Sequence, residues 1–173
     1  MPDTFESLLV KLSRAGVDYL VAGGVAVCLN GFVRTTQDLD LLVEASAENI
    51  EKLLGVLATF GEGFARELSP DDFRVEEGAV RLNEDFTLDL FTAMRSRTFG
   101  DFRADARSLR VEGVPILYLA PESLIELKSL SVRDKDRLDV AALREIMSGK
   151  APPSPADLVE LTPRSDSQPE DAP

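Results

Sequence analysis

The residues of this chain best placed to do chemistry are Asp38, Asp40 and Asp89. Asp38-Leu39-Asp40 runs into the apolar stretch Leu41 to Val43, and residues two apart on a strand project from the same face. Two carboxylates side by side on an apolar strand repel unless something positive neutralises them. A divalent cation does so, and an all-oxygen donor set suits magnesium or manganese. Asp89 stands inside a second apolar stretch, Phe86 to Phe91. If that stretch is a neighbouring strand, three carboxylates converge, and such a set can hold two magnesium ions about 3.5–4 Å apart. One ion would activate an attacking hydroxyl and the other would steady a leaving pyrophosphate, because phosphoryl-type transfers run mostly on positioning and charge neutralisation. Taken singly, an aspartate beside a strand also reads as a turn residue or a cap. The three together point to a site.

Upstream lies a glycine pair, Gly23-Gly24, just after the apolar run Tyr19 to Ala22. Glycines at the start of a helix leave backbone N–H groups free to meet a phosphate. Arg34, between the glycines and the acids, is suited to grip a triphosphate or acceptor phosphate, since guanidinium forks onto phosphate oxygens. Its plainer reading is a surface arginine paired with a local acid. Lys128 interrupts the apolar helical stretch Leu124 to Leu130; it either reaches a phosphate in the site or snorkels to solvent. The mixed-charge run Arg133 to Asp139 reads mostly as a solvated helix face laced with ion pairs, with Lys135 and Asp136 the members able to approach a substrate.

The elements that must position these groups follow from the pattern. Asp3 to Gly16 is an amphipathic helix, with Asp3 and Glu6 at capping-box spacing and Gly16 as its stop. Val17 to Ala22 is a short strand, Val25 to Asn30 a short helix, and Leu39 to Glu44 a strand with the acids at its start. Ser46 caps a helix from Ala47 to Phe60. Phe73 to Glu76 and Ala79 to Leu82 read as two strands paired around Glu77-Gly78. Phe86 to Phe91 is a strand, and Leu109 to Glu112 with Pro115 to Leu119 is a hairpin around Gly113. Pro121 opens a helix to about Ser131, and Asp134 to Met147 is the last helix, ended by Gly149. This order predicts an α/β fold, a small mixed sheet with helices on one face. Residues 1–150 form one domain; residues 151–173, rich in proline and acid, read as a disordered tail, in which Asp157 to Leu161 is a short apolar patch able to dock.

Composition narrows the function. A chain of 173 residues with 44% hydrophobic content suits one domain with a real core. Its 31 acidic against 19 basic residues, a formal charge of -12, argue against a broad grip on a nucleic-acid backbone but leave one local basic face open. Histidine is absent, which removes histidine-based nucleophile triads and histidine metal ligands and argues against zinc hydrolysis. Any acid–base or metal chemistry must run on carboxylates. The single cysteine, Cys28, excludes an internal disulfide and reads as a buried packing residue in a reducing cytosol. No apolar run is long enough for a membrane span, and the N-terminus lacks the features of a signal peptide. The expectation is a cytoplasmic protein with no membrane partner.

The motif Gly23-Gly24, then Asp38-Leu39-Asp40 on a strand, then Asp89 on a later strand, resembles the DNA polymerase β-like nucleotidyltransferase superfamily. Motif by motif the resemblance covers Val17 to Phe91, and it extends more weakly to Met147 through Lys128 and the run Arg133 to Asp139. Gly23, Gly24, Ala26, Arg34, Asp38 and Asp40 match the hallmark of small bacterial members, the abortive-infection nucleotidyltransferase toxins and related domains. The resemblance implies a nucleotidyltransferase-like fold, with Asp38, Asp40 and Asp89 as catalytic residues and ligands of Mg2+ (or Mn2+). Asp89 would also help deprotonate the attacking hydroxyl. Gly23, Gly24, Arg34 and Lys128 would bind the nucleotide. One departure is Gly24, where many members carry serine; glycine is usual in the toxin-like branch.

Three functions compete. The first is transfer of a nucleoside monophosphate from an NTP to a hydroxyl of RNA, protein or a small molecule, with a tRNA end or a protein hydroxyl as acceptor and ATP among the candidate donors. The second is a non-catalytic nucleotide-binding or regulatory module, or one half of a toxin–antitoxin pair; the short chain favours dependence on an antitoxin or other protein partner. The third is other chemistry at acid-x-acid motifs. Haloacid-dehalogenase-type phosphatases do not fit, because Leu42 stands where a later acid is needed, and sugar-nucleotide transferases need a larger domain.

Overall fold

The structure, a computed structural model, describes residues 4–150. The tail 151–173 and the Asp3 cap expected from the sequence lie outside the described residues. Helix α1 (Phe5–Arg14) is capped by Thr4, whose side chain accepts from the Ser7 N–H while the Ser7 hydroxyl accepts from the Thr4 N–H. Strand β1 (Tyr19–Val21) leads into α2 (Gly23–Leu29), and β2 (Asp38–Val43) into α3 (Ala47–Leu57), capped by Ser46. Two 3-10 turns follow, Phe64–Glu67 and Pro70–Asp72. Then come β3 (Ala79–Asn83), β4 (Thr87–Phe91), the short pair β5 (Ala93–Met94) and β6 (Arg97–Thr98), and α4 (Phe99–Arg103). A hairpin of β7 (Arg107–Val111) and β8 (Val114–Tyr118) precedes α5 (Pro121–Lys128) and α6 (Asp134–Met147).

Six strands form one mixed sheet in the order β3-β4-β2-β1-β8-β7. The β2–β4 and β1–β8 pairs are parallel and the other three antiparallel. The α/β architecture is the expected one, with two corrections. Residues 73–76 do not pair with Ala79 to Leu82; β3 pairs with β4 instead, in the register Arg81 to Asp89. Phe73 is buried from the end of a 3-10 turn rather than from a strand. The second correction concerns the layers. Tyr19, Leu20 and Val21 are buried in succession, as are Leu41, Leu42 and Val43. Successive strand residues face opposite sides, so the central strands are covered on both faces rather than one, as in sheets with parallel neighbours.

The centre of the sheet is therefore a rigid base. Buried Asn49 fastens it, accepting from the Asp18 N–H at 2.7 Å and donating to the Asp18 and Glu44 carbonyls at 2.9 and 2.8 Å. Tyr19 donates to the Leu9 carbonyl at 2.9 Å, tying α1 to β1, and burial pushes its phenol up to about 12.

Candidate active site

The register of three strands builds the site. In the parallel β2–β4 pair, Asp40 stands opposite Asp89 and Asp38 opposite Thr87. Residues directly opposite on adjacent strands project to the same side, and Asp38 shares that side with Asp40 by parity. The edge strand β3 adds Arg81 opposite Asp89. Asp40, Asp89 and Arg81 thus form a row across three strands.

Their electrostatic states differ. Asp89 is 4% exposed, and its charge is met by a fork: Arg81 Nε donates to Oδ1 at 2.7 Å and Nη2 to Oδ2 at 2.8 Å. Arg81 is itself held above the ordinary arginine range by this hydrogen-bonded pairing. Asp40 has no such fork. Burial pushes its pKa up, Asp89 and Asp38 push it further, and Lys128 and Lys135 pull it back only in part. Among the described residues no three acids stand as a preformed cage for a cation, and the geometry says why. Both Asp89 oxygens face Arg81.

Gly23 explains how the chain closes on this row. Its φ is +56°, and a Cβ there would fall 1.9 Å from Asp40 Oδ2. Only glycine allows both the left-handed backbone and the close approach. The helix α2 therefore begins against the Asp40 carboxylate, and Ala22 at its cap offers no side-chain oxygen to the first N–H groups. At Gly24 a Cβ would meet Thr36 Oγ1 at 2.7 Å and Arg34 Nη2 at 3.1 Å. The side-chain ends of Thr36 and Arg34 thus occupy the space beside Gly24.

Across the cavity, α5 and α6 carry a second charged group. Arg34 donates Nε to Asp139 Oδ1 at 2.6 Å and Nη2 to Oδ2 at 2.7 Å. Lys128 Nζ lies 2.5 Å from Asp136 Oδ1 and 3.0 Å from Asp139 Oδ2. Ser131 and Arg133 donate to Asp136 Oδ2 at 2.6 and 2.9 Å. Burial pushes Asp136 up, but the Lys128 and Ser131 hydrogen bonds and the Lys128 and Arg133 charges outweigh it, leaving the carboxyl at about 2. Arg133, Asp134, Lys135 and Arg137 are exposed, as expected of a solvated face, and Arg137 pairs with Asp134; Asp136 and Asp139 depart from it, at 1% and 0% exposed. Arg34 pairs with an acid 105 residues away rather than a local one. Lys128 does not snorkel; its side chain is 12% exposed. Cys28 is half-buried, and its thiol donates to the Arg34 carbonyl.

All seven residues expected in the site, Gly23, Gly24, Arg34, Asp38, Asp40, Asp89 and Lys128, line one cavity of about 390 Å³. Sequence reasoning missed Arg81 and Arg95 on its wall and the paired state of Asp136. A signal for the last existed: Asp136, Asp139, Val140 and Leu143 follow the i, i+3, i+4, i+7 spacing of a buried helix stripe. The wall carries six cations, Arg34, Arg81, Arg95, Lys128, Arg133 and Lys135, against five carboxylates. The chain as a whole has 19 against 31, so the charge balance inverts in this one cavity. Phe91, Met94, Leu124 and Leu127 give it an apolar side.

No helix among the described residues is long and apolar enough to cross a membrane. Comparison with known families finds no matching family model, and no curated protein matches the chain. Among solved structures, the chain is similar to the crystal structure of an antigenic nucleotidyltransferase-like protein from Paracoccidioides brasiliensis, with 15% identity, a TM-score of 0.49, and coverage of 90% of this chain and 84% of that one.

Proposed function

We propose that this protein is a divalent-metal-dependent nucleotidyltransferase of the DNA polymerase β-like superfamily, on the branch of the abortive-infection toxins. The observation that carries the reading is the set of Asp38 and Asp40 on β2 with Asp89 opposite Asp40 on β4, in a cavity whose charge balance is cationic within a strongly acidic chain. The donor set fits a hard cation: all ligands are oxygens, and Asp40 is desolvated among like charges that lack an equal countercharge. Asp38, Asp40 and Asp89 would hold Mg2+ (or Mn2+). When bound, the metal supplies charge neutralisation at the reacting phosphate and acidifies the attacking hydroxyl.

The chain's own residues do the rest. The apolar side of the cavity takes the base of an NTP, and its cations take the triphosphate. Gly23 and Gly24 leave backbone N–H groups for the phosphates. The acceptor oxygen bonds to the α-phosphorus, its proton passes to Asp89, the bond from phosphorus to the bridging oxygen breaks, and pyrophosphate leaves. The acceptor is a hydroxyl of RNA, of protein or of a small molecule, and the setting is cytoplasmic, with a toxin–antitoxin pair as its biological frame. The test is transfer of label from each α-labelled NTP with Mg2+, offering bulk tRNA and cell lysate as acceptors, for wild type and Asp40→Asn. Label on an acceptor that is lost in the variant supports the reading; no transfer and no nucleotide binding sinks it.

A second reading has its own support. Asp89 is forked to Arg81, and Arg34 and Lys128 are bound to Asp139 and Asp136. A site whose groups are held this way suits a regulatory module that binds a nucleotide without turning it over. Nucleotide binding without transfer in the same assay favours that outcome.

A further inference from the structure

We propose that Arg81 is an internal competitor of the divalent cation, and that metal and nucleotide bind cooperatively because the nucleotide draws Arg81 away from Asp89. The inference rests on the metal-site reading above. Its observation is independent of that reading: the third carboxylate has both oxygens capped by one guanidinium at 2.7 and 2.8 Å.

The geometry sets what must move. Asp40 and Asp89 stand opposite one another, so a cation between them needs an Asp89 oxygen facing Asp40. Both are turned to Arg81 on the far side of β4. A cation at Asp89 therefore competes with the fork, which holds one lone pair of each oxygen and sets the guanidinium charge beside it. Arg81 is able to leave: its side chain is 61% exposed, on an edge strand, whereas Asp89 is 6% exposed. An exposed arginine loses little by returning to water, while a buried carboxylate left alone is penalised. The fork therefore opens when something positive replaces it. The same guanidinium lines the cavity and suits bidentate contact with phosphate oxygens. A triphosphate in the cavity offers Arg81 a second anionic partner. Moving to it frees Asp89 for the metal, and metal on Asp89 frees Arg81 for the phosphates. Each ligand then strengthens the other by the same factor, as linkage requires.

The contrast with Arg34 and Lys128 singles out Arg81. Those cations bind carboxylates on α6 and are themselves largely covered. Among the forked and bridged cations of the cavity, Arg81 alone combines high exposure with a partner in the proposed metal site, within the described residues.

The test is Mn2+ binding, read from the spin signal of free Mn2+, with and without a non-hydrolysable ATP analogue. Wild type, Arg81→Gln and Arg81→Lys are compared, with circular dichroism to check folding. Without nucleotide, Arg81→Gln should bind Mn2+ about tenfold tighter than wild type, the weight of a charge-assisted contact. Arg81→Lys, charged but unable to fork, should fall between. The analogue should tighten Mn2+ binding in wild type and much less in Arg81→Gln. The gain must vanish when Asp89→Asn is added. Equal or weaker Mn2+ binding by Arg81→Gln, with wild type binding normally, overturns the competition and leaves the metal site standing. Mn2+ binding by none of the proteins overturns both. An analogue effect unchanged in Arg81→Gln overturns the coupling.

Discussion

Two sets of carboxylates stand at one cavity, one of them with Asp136 on the cavity wall and Asp139 behind it, and they are kept in opposite states. On the helix side, Asp136 and Asp139 are buried and enclosed by Arg34, Lys128, Ser131 and Arg133, so that Asp136 is held at about 2. On the strand side, burial raises the Asp40 pKa and the neighbouring Asp89 and Asp38 raise it further, and only Asp89 has a fork. The first group is electrostatically closed and acts as a brace joining α5, α6 and the segment before β2. The second is open: Asp40 has no forked partner, and Lys128 and Lys135 offset its burial and its like-charged neighbours only in part. Both sets are buried, and they differ in how far the chain's own cations neutralise them; on the proposed function, that difference separates acids kept for a ligand from acids that hold the fold.

That comparison breaks most sharply at Asp139. Replacing it by alanine strands the Arg34 fork and half of the Lys128 pairing inside the protein. Removal of one partner of a buried pair costs about 3–5 kcal/mol, so Asp139→Ala should lower the urea midpoint severely. A loss below about 1 kcal/mol, the range of a surface pair, would show that the brace is no brace. Asp40→Asn should do the reverse. It relieves repulsion, so stability should hold or rise slightly, while transfer falls by about 10²–10³ or more, as when a preorganised group at a reacting phosphate or oxyanion is removed. Full transfer by Asp40→Asn would end the distinction between the two groups.

The contact between Gly23 and Asp40 gives the next effect. Gly23→Ala forces a Cβ into a left-handed backbone and onto the Asp40 carboxylate, 1.9 Å away. The backbone strain alone is about 1–3 kcal/mol, and the displaced carboxylate should weaken Mn2+ binding. Gly78, also at positive φ but with nothing within 4 Å, is the control: Gly78→Ala should lose stability without touching Mn2+ affinity.

The two groups also differ in how far the sequence revealed them. The open group was legible because its chemistry is local. A glycine pair and two acids two apart on an apolar strand can be read within one segment, and Asp89 stood out as a charge inside the apolar stretch Phe86 to Phe91. The end of α6 and the β7–β8 hairpin were legible for the same reason, each marked by a glycine at positive φ. The closed group was hidden because its partners are 105 residues apart in one pair and belong to different elements. A charged run is read as solvated until its countercharges are known. Arg81 was missed with the pairing of its strand. The residues around Glu77-Gly78 looked like a hairpin, whereas β3 gains more by joining β4, where Leu82 packs opposite Leu88 and Arg81 meets Asp89.

The smallest effect sharpens the comparison through pH. Asp136 lies at about 2 in the folded protein against an ordinary 3.8. Its contribution, about 2 kcal/mol by linkage, is present above pH 3.8 and lost as pH falls from there through about 2. Asp40 has the opposite sign. Its folded pKa is raised above 3.8, so the folded state takes up the proton more readily than the unfolded chain. Stability from that group is greatest below 3.8 and is lost as pH rises from there through the raised value. Urea unfolding from about pH 2 upward should separate them. Asp136→Asn should be less stable than wild type at neutral pH and should lose less further stability on acidification. Asp40→Asn should remove the opposing loss on the alkaline side, so that it gains on wild type as pH rises. Parallel curves for all three proteins would mean that the two groups differ in position but not in charge state, and the argument from incomplete neutralisation would fall with them.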